Sequence, residues 1–501
     1  MPAAREPSLA DPARKRSKEF LGEISRGNAT LLLTLLTIAG AWLRLSHLGG
    51  KSLWLDEGAT VALARTSWQH FGWVWWYGEA NLQTVYFLLM RGWIGFGQSE
   101  AWLRLPSALF GIASIPLIFV VARKFMAVFP ALVAAALLAF SPTDVSYSQE
   151  ARSYTLAIFL VLLSTHFFVR AVELGRRKDW LLWTLISILA FYSHDFTALV
   201  LVAEACSLFF KTRPAPWRAV TICGAVILLA ALPGLTYVFR ASPENLHFIW
   251  MPRPSPKGLW HLAMFFGGGG AKIVVALVLW IAGLVTVLRS HRQTTAQDSF
   301  WRGMLIVLWA ILPVVMTALV SLLHPIFLQR YMIFSLPAMI LLAALGMSAL
   351  DRWHVGLALV IALCAMSIPT ILGEYNKPRE DWRAASNAIL SSASPGDAVV
   401  FFPFYTRVML DYYRDRYAGA TPPIRVYAPP YYAGGDDVHT LVKALNSQPH
   451  QFPHVWVVVY GSDGRIENFD YGSDAAERLQ SIYGAPEVRR FPDIQVLEFG
   501  R

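Results

Sequence analysis

The chain has 501 residues, of which 55% are hydrophobic and only 15% charged, with a mean hydropathy of +0.44, which excludes a soluble protein of ordinary composition. A formal net charge of +10 does not point to nucleic acid, because the basic residues sit mainly in short loops between apolar runs, as the positive-inside rule requires. Cys206, Cys223 and Cys364 all fall in apolar runs, so neither a disulfide framework nor a cysteine-based metal site is suggested.

The N-terminal tail, residues 1–27, carries Arg14, Lys15, Arg16, Lys18 and Arg26 and leads into the apolar run Ala29–Ala41. No small-residue cleavage site follows. The run reads as a retained first span with the N-terminus in the cytoplasm. At a crossing length of ~20 residues, about eleven spans are expected. They centre on 28–47, 102–122, 125–142, 152–172, 180–194, 196–210, 219–239, 272–289, 303–323, 331–350 and 355–373. The hairpin 180–194 and 196–210 is the shortest. Arg123-Lys124, Arg176-Arg177-Lys178, Lys211 with Arg213 and Arg218, Arg289 with Arg292, and Asp351-Arg352 then fall on the cytoplasmic side, and residues 374–501 fall outside.

The first outer loop, 49–100, holds an aromatic cluster of Trp68, Phe71, Trp73, Val74, Trp75, Trp76 and Tyr77. It also holds Val85–Phe96, which is apolar but too short to span. Both read as helices lying in the interface. Aromatic belts are common in membrane proteins and by themselves require no substrate.

Residues 374–501 are more polar. Helical stretches near 380–393, 405–416, 437–447 and 474–484 alternate with strands at 398–402, 424–427, 455–460 and 494–499. This alternation suggests a small α/β domain. It carries no nucleotide fingerprint and no catalytic triad, and no internal repeat is visible in the chain. The fold class is therefore a polytopic α-helical membrane protein, with a membrane domain over 28–373 and an extracytoplasmic α/β domain over 374–501.

The expected topology gathers chemistry on the outer face. Asp56 and Glu57 follow the first span, and Glu150, Arg152 and Tyr154 open the fourth. His194-Asp195 lies at a hairpin tip. Arg240, Glu244 and His247 begin another outer loop, and His324, Arg330 and Tyr331 end the ninth span. Carboxylates at a membrane surface facing a cavity are functional candidates. Arg44, Arg104, Arg152 and Arg330 oppose the positive-inside rule, and a cation held there needs an anion. A carboxylate would serve structurally. A lipid phosphate is the functional alternative, since a guanidinium fork matches phosphate oxygens. Asp56 has the chemistry of a general base toward an acceptor hydroxyl attacking an activated sugar carbon. It would alternatively ligate a divalent cation with Glu57 or Glu150, or cap an interfacial helix beginning near Gly58.

Two segments mimic other sites. Gly267–Gly270 followed by Ala271-Lys272 lacks the Gly-Lys-Ser/Thr ending of a phosphate loop and leads into a span, so it reads as a flexible outer loop. Met251-Pro252-Arg253-Pro254-Ser255-Pro256 reads as a stiff outer segment, suited to a lid.

Leu53-Trp54-Leu55-Asp56-Glu57, Ala101–Gly111, Ser148–Tyr154 and Gln329-Arg330-Tyr331 occur in that order. Together they resemble the dolichyl-phosphate-mannose-protein mannosyltransferase superfamily of GT-C membrane glycosyltransferases, family 39 type, above all its bacterial members. Tyr192-Ser193-His194 and Glu380-Asp381-Trp382-Arg383 resemble segments of those members too. The likeness covers most of 30–400. It implies a GT-C fold and an inverting transfer of a sugar from a polyprenyl-phosphate donor, on the extracytoplasmic side of the inner membrane, to a glycan, lipid or protein acceptor. It implies that Asp56 is the base or its closest helper, with Glu57 positioning it, and that Arg330 and Tyr331 are candidates to meet the donor phosphate. Arg152, Arg104 and Arg44 join that phosphate set. Glu150, Tyr154, His194 and His324 support the substrate. Members differ on metal use, so a divalent cation on Asp56, Glu57 and Glu150 stays open. Asn81-Leu82-Gln83-Thr84-Val85-Tyr86 departs from the family, where a His-Pro or Pro-Pro often precedes the second interfacial helix. A flippase for the same lipids, or a membrane-anchored glycan-binding protein, is the competing reading. A flippase would favour repeats and broken mid-membrane helices. A binding protein would leave the outer carboxylates and arginines unexplained.

Overall fold

The structure is a computed structural model that describes residues 25–77, 83–211, 214–240, 251–291, 297–350, 353–377, 379–417, 419, 421–428, 437–461 and 472–500. The basic tail around Arg14–Lys18, Arg213, Arg292, Glu244, His247, Asp351-Arg352 and Asn81-Leu82 lie outside the described residues.

In chain order the helices are α1 Arg26–Leu45, α2 Leu55–Arg65, α3 Trp68–Tyr77, α4 Thr84–Trp93, α5 Glu100–Ala122, α6 Val128–Ala139 and α7 Pro142–Ser148. They continue as α8 Tyr154–Leu174, α9 Arg177–Phe191, α10 Ala198–Ser207, α11 Trp217–Arg240, α12 Pro256–Gly267, α13 Lys272–Ser290 and α14 Gln297–Leu323. After a 3-10 stretch over Gln329–Ser335 come α15 Leu336–Met347 and α16 Trp353–Tyr375. The C-terminal region is α17 Trp382–Ser392, β1 Ala398–Phe402, α18 Arg407–Arg414, β2 Arg425–Tyr427, α19 Val438–Ser447, β3 Val455–Tyr460, α20 Gly472–Tyr483, β4 Glu487–Phe491 and β5 Ile494–Phe499.

Every predicted span coincides with helix. Among the described residues eight helices are long and apolar enough to cross a membrane. A ninth is added if α6 and α7, bent by 53° at Phe140–Ser141, count as one span. The hairpin helices α9 and α10 have 15 and 10 residues and fall short of that length. Between them Glu204 is fully buried and accepts hydrogen bonds from Thr165 Oγ1 at 2.9 Å and Trp183 Nε1 at 2.8 Å. A carboxyl so placed must have its oxygens satisfied.

The chain divides into two compact units. The first comprises residues 1–46, 75–86 and 105–374. Its helices pack in the pairs α8 with α9, α13 with α15, α10 with α14, α9 with α11 and α6 with α15. Leu, Ile, Val and Phe cover the outer faces: Val274, Val278 and Ile281 of α13 and Leu228 and Leu229 of α11 are all more than half exposed. The pairing of α13 with α15 depends on two glycines. A Cβ on Gly283 would strike the Leu342 carbonyl, and one on Gly346 the Leu279 carbonyl. These are backbone obstacles that no rotamer change relieves, the close approach that small residues permit between membrane helices. Gly346→Ala is therefore expected to lower stability by about 1–3 kcal/mol, read as earlier thermal unfolding in detergent. An unchanged midpoint would show that α13 and α15 separate without cost.

The second unit comprises residues 47–74, 87–104 and 375–501. It is built on a five-stranded sheet of order β2-β1-β3-β5-β4, parallel across β2-β1-β3 and antiparallel across β3-β5-β4. Central β1 and β3 are uninterrupted apolar runs, AVVFF and VWVVV, because both faces are covered. Val400, Phe402, Val457, Leu441, Leu445 and Leu479 form the core of one face. The predicted strands correspond to β1, β2, β3 and β5, and the predicted helices to α17–α20. Strand β4 is an edge strand with Arg489, Arg490 and an exposed Val488, so it lacks the apolar alternation that marks a strand. The 49–100 loop forms α2, α3 and α4, and its parts 49–74 and 87–100 belong to this unit.

Candidate functional site

In the second unit, helix α2 starts at Leu55, three residues before the Gly58 expected from sequence. Asp56 and Glu57 are therefore its second and third residues, and a carboxylate in a first turn is favoured by the helix dipole. Glu57, not Asp56, caps the helix: the Trp54 N–H donates to Glu57 Oε2 at 3.1 Å. Glu57 is fully buried and is gripped by Arg104, whose Nε donates to Oε1 at 2.8 Å and Nη2 to Oε2 at 2.7 Å. The remaining Arg104 N–H groups reach the carbonyls of Leu48, Lys51 and Ser52 at 2.9–3.0 Å. All five guanidinium donors are thus committed within the unit. This corrects the expectation that Arg104 binds a phosphate: its work is to fix the loop before α2 and the helix start.

The Glu380–Arg383 segment holds the same loop. Arg383 pairs with Glu100, Nη2 to Oε2 at 2.8 Å, and donates to the Gly49 carbonyl at 3.2 Å. Glu380 is buried. Its Oε2 accepts from the Leu55 N–H at 2.9 Å and Trp382 Nε1 at 2.5 Å, and its Oε1 from the Tyr460 hydroxyl at 2.9 Å. Burial first, and then the negative charge of Asp56, push the Glu380 carboxyl above its usual range. The Tyr405 and Tyr460 hydroxyls are raised by burial and by the same Asp56 charge, Tyr460 also by Glu380. Asp56 is half-buried, and its charge acts on Glu380, Tyr405 and Tyr460. Sequence reasoning gave Glu380 no role, because its partners are 80 and 325 residues away.

The sign of the Glu380 shift sets a pH dependence. A carboxyl raised in the fold contributes stability that is complete below its ordinary value of 4.5 and is lost as pH rises through the raised one. Glu380→Gln is expected to flatten the fall in thermal midpoint with rising pH from ~4 upward. An unchanged slope would remove Glu380 as its source.

The first unit holds the remaining candidates. Arg44 and its partner Asp144 are both completely buried, Nη2 to Oδ2 at 2.6 Å. Arg44 also donates to the carbonyls of Gly40, Leu138 and Ala139 at 2.9–3.0 Å. This joins α1 to α6 and α7 and corrects the expectation of a phosphate contact for Arg44. A buried guanidinium takes a buried carboxylate, and this pairing is not visible in the sequence because Asp144 lies 100 residues from Arg44.

Tyr154, His194 and Tyr331 do come together. The His194 ring lies 5.9 Å from Tyr154, 5.4 Å from Tyr331 and 5.3 Å from Phe334, centroid to centroid. Its Nδ1 faces Asp195 Oδ1 at 3.1 Å. The Arg152 guanidinium stands 5.9 Å from the Tyr154 ring and that of Arg330 5.7 Å from the Tyr331 ring. The start of α8 is fixed from behind, since Ser107 Oγ donates to the Arg152 carbonyl at 2.9 Å and Thr155 Oγ1 to the Ser107 carbonyl at 2.8 Å. Glu150 is buried two residues from Arg152. His324 is exposed at the end of α14, and among the described residues no ring contact places it in this cluster. Arg240 lies at the end of α11.

Of the carboxylates named for a divalent cation, Glu57 has both oxygens held by Arg104. Among the described residues no three His, Cys, Asp or Glu side chains cluster as metal ligands.

Residues 85–237 match the family model described as dolichyl-phosphate-mannose-protein mannosyltransferase. Comparison with curated proteins gives no match. Among solved structures the chain resembles ArnT from Cupriavidus metallidurans at 14% identity and TM-score 0.61, covering 94% of this chain and 97% of that one. The same protein bound to undecaprenyl phosphate matches at 13% identity and TM-score 0.61, covering 95% and 98%. The oligosaccharyltransferase of Archaeoglobus fulgidus matches at 12% identity and TM-score 0.54, covering 92% of this chain and 72% of that one. Arabinofuranosyltransferase AftD from mycobacteria matches at 16% and 0.54, covering 96% and 40%. The chain therefore matches that family model over residues 85–237, shares its fold with these solved glycosyltransferases, and is a multi-pass membrane protein.

Proposed function

We propose that the protein is an inverting glycosyltransferase that moves a sugar from a polyprenyl-phosphate donor to an acceptor hydroxyl on the extracytoplasmic side of the membrane. The observation that carries this reading is the division of labour in α2. Glu57 caps the helix and pairs with Arg104, while the charge of the adjacent Asp56 acts on Glu380, Tyr405 and Tyr460. Its role as base balances the reaction. Asp56 takes the acceptor proton, the acceptor oxygen bonds to the anomeric carbon, and the bond from that carbon to the phosphate oxygen breaks with its electron pair. Within the first unit, Arg330 and Arg152 are proposed to meet a phosphate, and Tyr331, Tyr154 and His194 form a ring cluster beside them. The donor carries the energy, so no nucleotide is required. Support comes from the GT-C fold and from ArnT, a protein of that fold seen with undecaprenyl phosphate.

The N-terminus is assigned to the cytoplasm and residues 374–501 to the outside, on the distribution of basic loops. The test is reconstitution of the purified chain in vesicles with a polyprenyl-phosphate sugar and a hydroxyl acceptor. Release of free polyprenyl phosphate with an inverted anomeric linkage in the product is expected. Movement of the intact donor across the bilayer without its cleavage would establish a flippase.

A further inference from the structure

The segment that mimics a phosphate loop has a structural purpose. Gly268, Gly269 and Gly270 all have positive φ, at 78°, 74° and 57°, and turn the chain from α12 into α13. A Cβ on Gly268 would lie in van der Waals contact with Lys272 Cε and Pro142, so it is the positive φ that calls for glycine there. The turn thereby brings Lys272, the first residue of α13, into a partly open cavity of about 70 Å³ between α6, α13, α15 and α16. At roughly 10–15 Å³ for each water, this is room for about five waters or one tetrahedral headgroup. Phe140, Leu279, Ala343 and Leu363 form its apolar walls, and Ser141 and Ser367 add hydroxyls.

Lys272 is only 4% exposed. Its ammonium donates to Thr370 Oγ1 at 2.9 Å and the Met366 carbonyl at 3.4 Å, both neutral acceptors. Among the described residues no carboxylate pairs with it. A charge buried among apolar groups is costly unless an opposite charge meets it. The first-turn N–H groups of α13 open at the same end and add to the positive field.

We propose that this cavity binds the phosphate of an anionic bilayer phospholipid, with Lys272 as the counter-charge. Three of its four walls, α13, the stretch Gln329–Met347 that includes α15, and α16, are of membrane-crossing length and composition. The ligand is therefore delivered from the bilayer, and its acyl chains lie along apolar helix surface. One ammonium with neutral partners balances one negative charge, which matches a phosphodiester lipid such as phosphatidylglycerol and not the doubly charged monoester of a prenyl phosphate. None of the residues assigned to sugar transfer lines the cavity.

The test is native mass spectrometry of the full chain in detergent with phosphatidylglycerol, phosphatidylethanolamine and undecaprenyl phosphate offered at equal concentration. One phosphatidylglycerol is expected to be retained over phosphatidylethanolamine. Lys272→Met should lower its retention about tenfold, and Lys272→Arg should keep it. Equal retention of the two phospholipids, full retention by Lys272→Met, or displacement by undecaprenyl phosphate would overturn the proposal. Thermal unfolding of the unaltered chain tests it without a variant. A higher midpoint with phosphatidylglycerol alone is expected, and equal shifts with both phospholipids would contradict it. Neither readout depends on sugar transfer.

Discussion

Asp56→Asn should lower turnover of the polyprenyl-phosphate sugar by about 10²–10⁴-fold, the range that general-base catalysis supplies. The substitution keeps the size of the side chain and removes only its charge and basicity. Because Glu57 makes the cap and meets Arg104, α2 should still form. The lost interaction with the helix dipole costs only about 0.3–1 kcal/mol. The donor is bound elsewhere in this scheme, so its affinity should change little while the rate falls. Single-turnover kinetics beside a thermal unfolding curve separates these effects. An Asn variant that turns over as fast as the parent would remove Asp56 from the chemistry. A large stability loss would return it to the scaffold.

Arg104→Met should destabilise the chain by about 3–5 kcal/mol, because it leaves the completely buried Glu57 carboxylate without its partner. It also releases the carbonyls of Leu48, Lys51 and Ser52. Glu57→Leu combined with Arg104→Met should recover part of that loss, since the unpaired charge is then gone. The double-mutant cycle, measured by chemical unfolding in detergent, reads the coupling directly. If Arg104 met a lipid phosphate, the single variant would weaken donor binding with little change in stability. That pattern would overturn the structural assignment.

Much of the fold was legible from two periodicities. Apolar runs of crossing length located the helices of the first unit, and short β-branched runs located β1, β3 and β5. What stayed hidden depends on contacts far apart in sequence. Arg104 and Arg44 sit at span ends against the charge rule, and that anomaly was real. Its cause is a buried carboxylate in each case, Glu57 at a separation of 47 residues and Asp144 at 100. Sequence position marks a cation as needing an anion, but not which anion. Edge strand β4 was missed because solvent covers one side of it. The joining of 47–74 and 87–104 to residues 375–501 was also invisible, since Glu100 and Arg383 advertise no partnership in a linear reading. In contrast, Tyr154, His194 and Tyr331 were named from three separate segments and do converge on one ring cluster.

The central claim is that this protein consumes a lipid-linked sugar through Asp56. Its most direct test is mass spectrometry of polyprenyl-phosphate sugars in lipid extracts from cells lacking the protein, then restored with the parent chain or with Asp56→Asn. One lipid-linked sugar should accumulate in its absence, clear with the parent and persist with the variant. Clearance by both proteins would contradict the account.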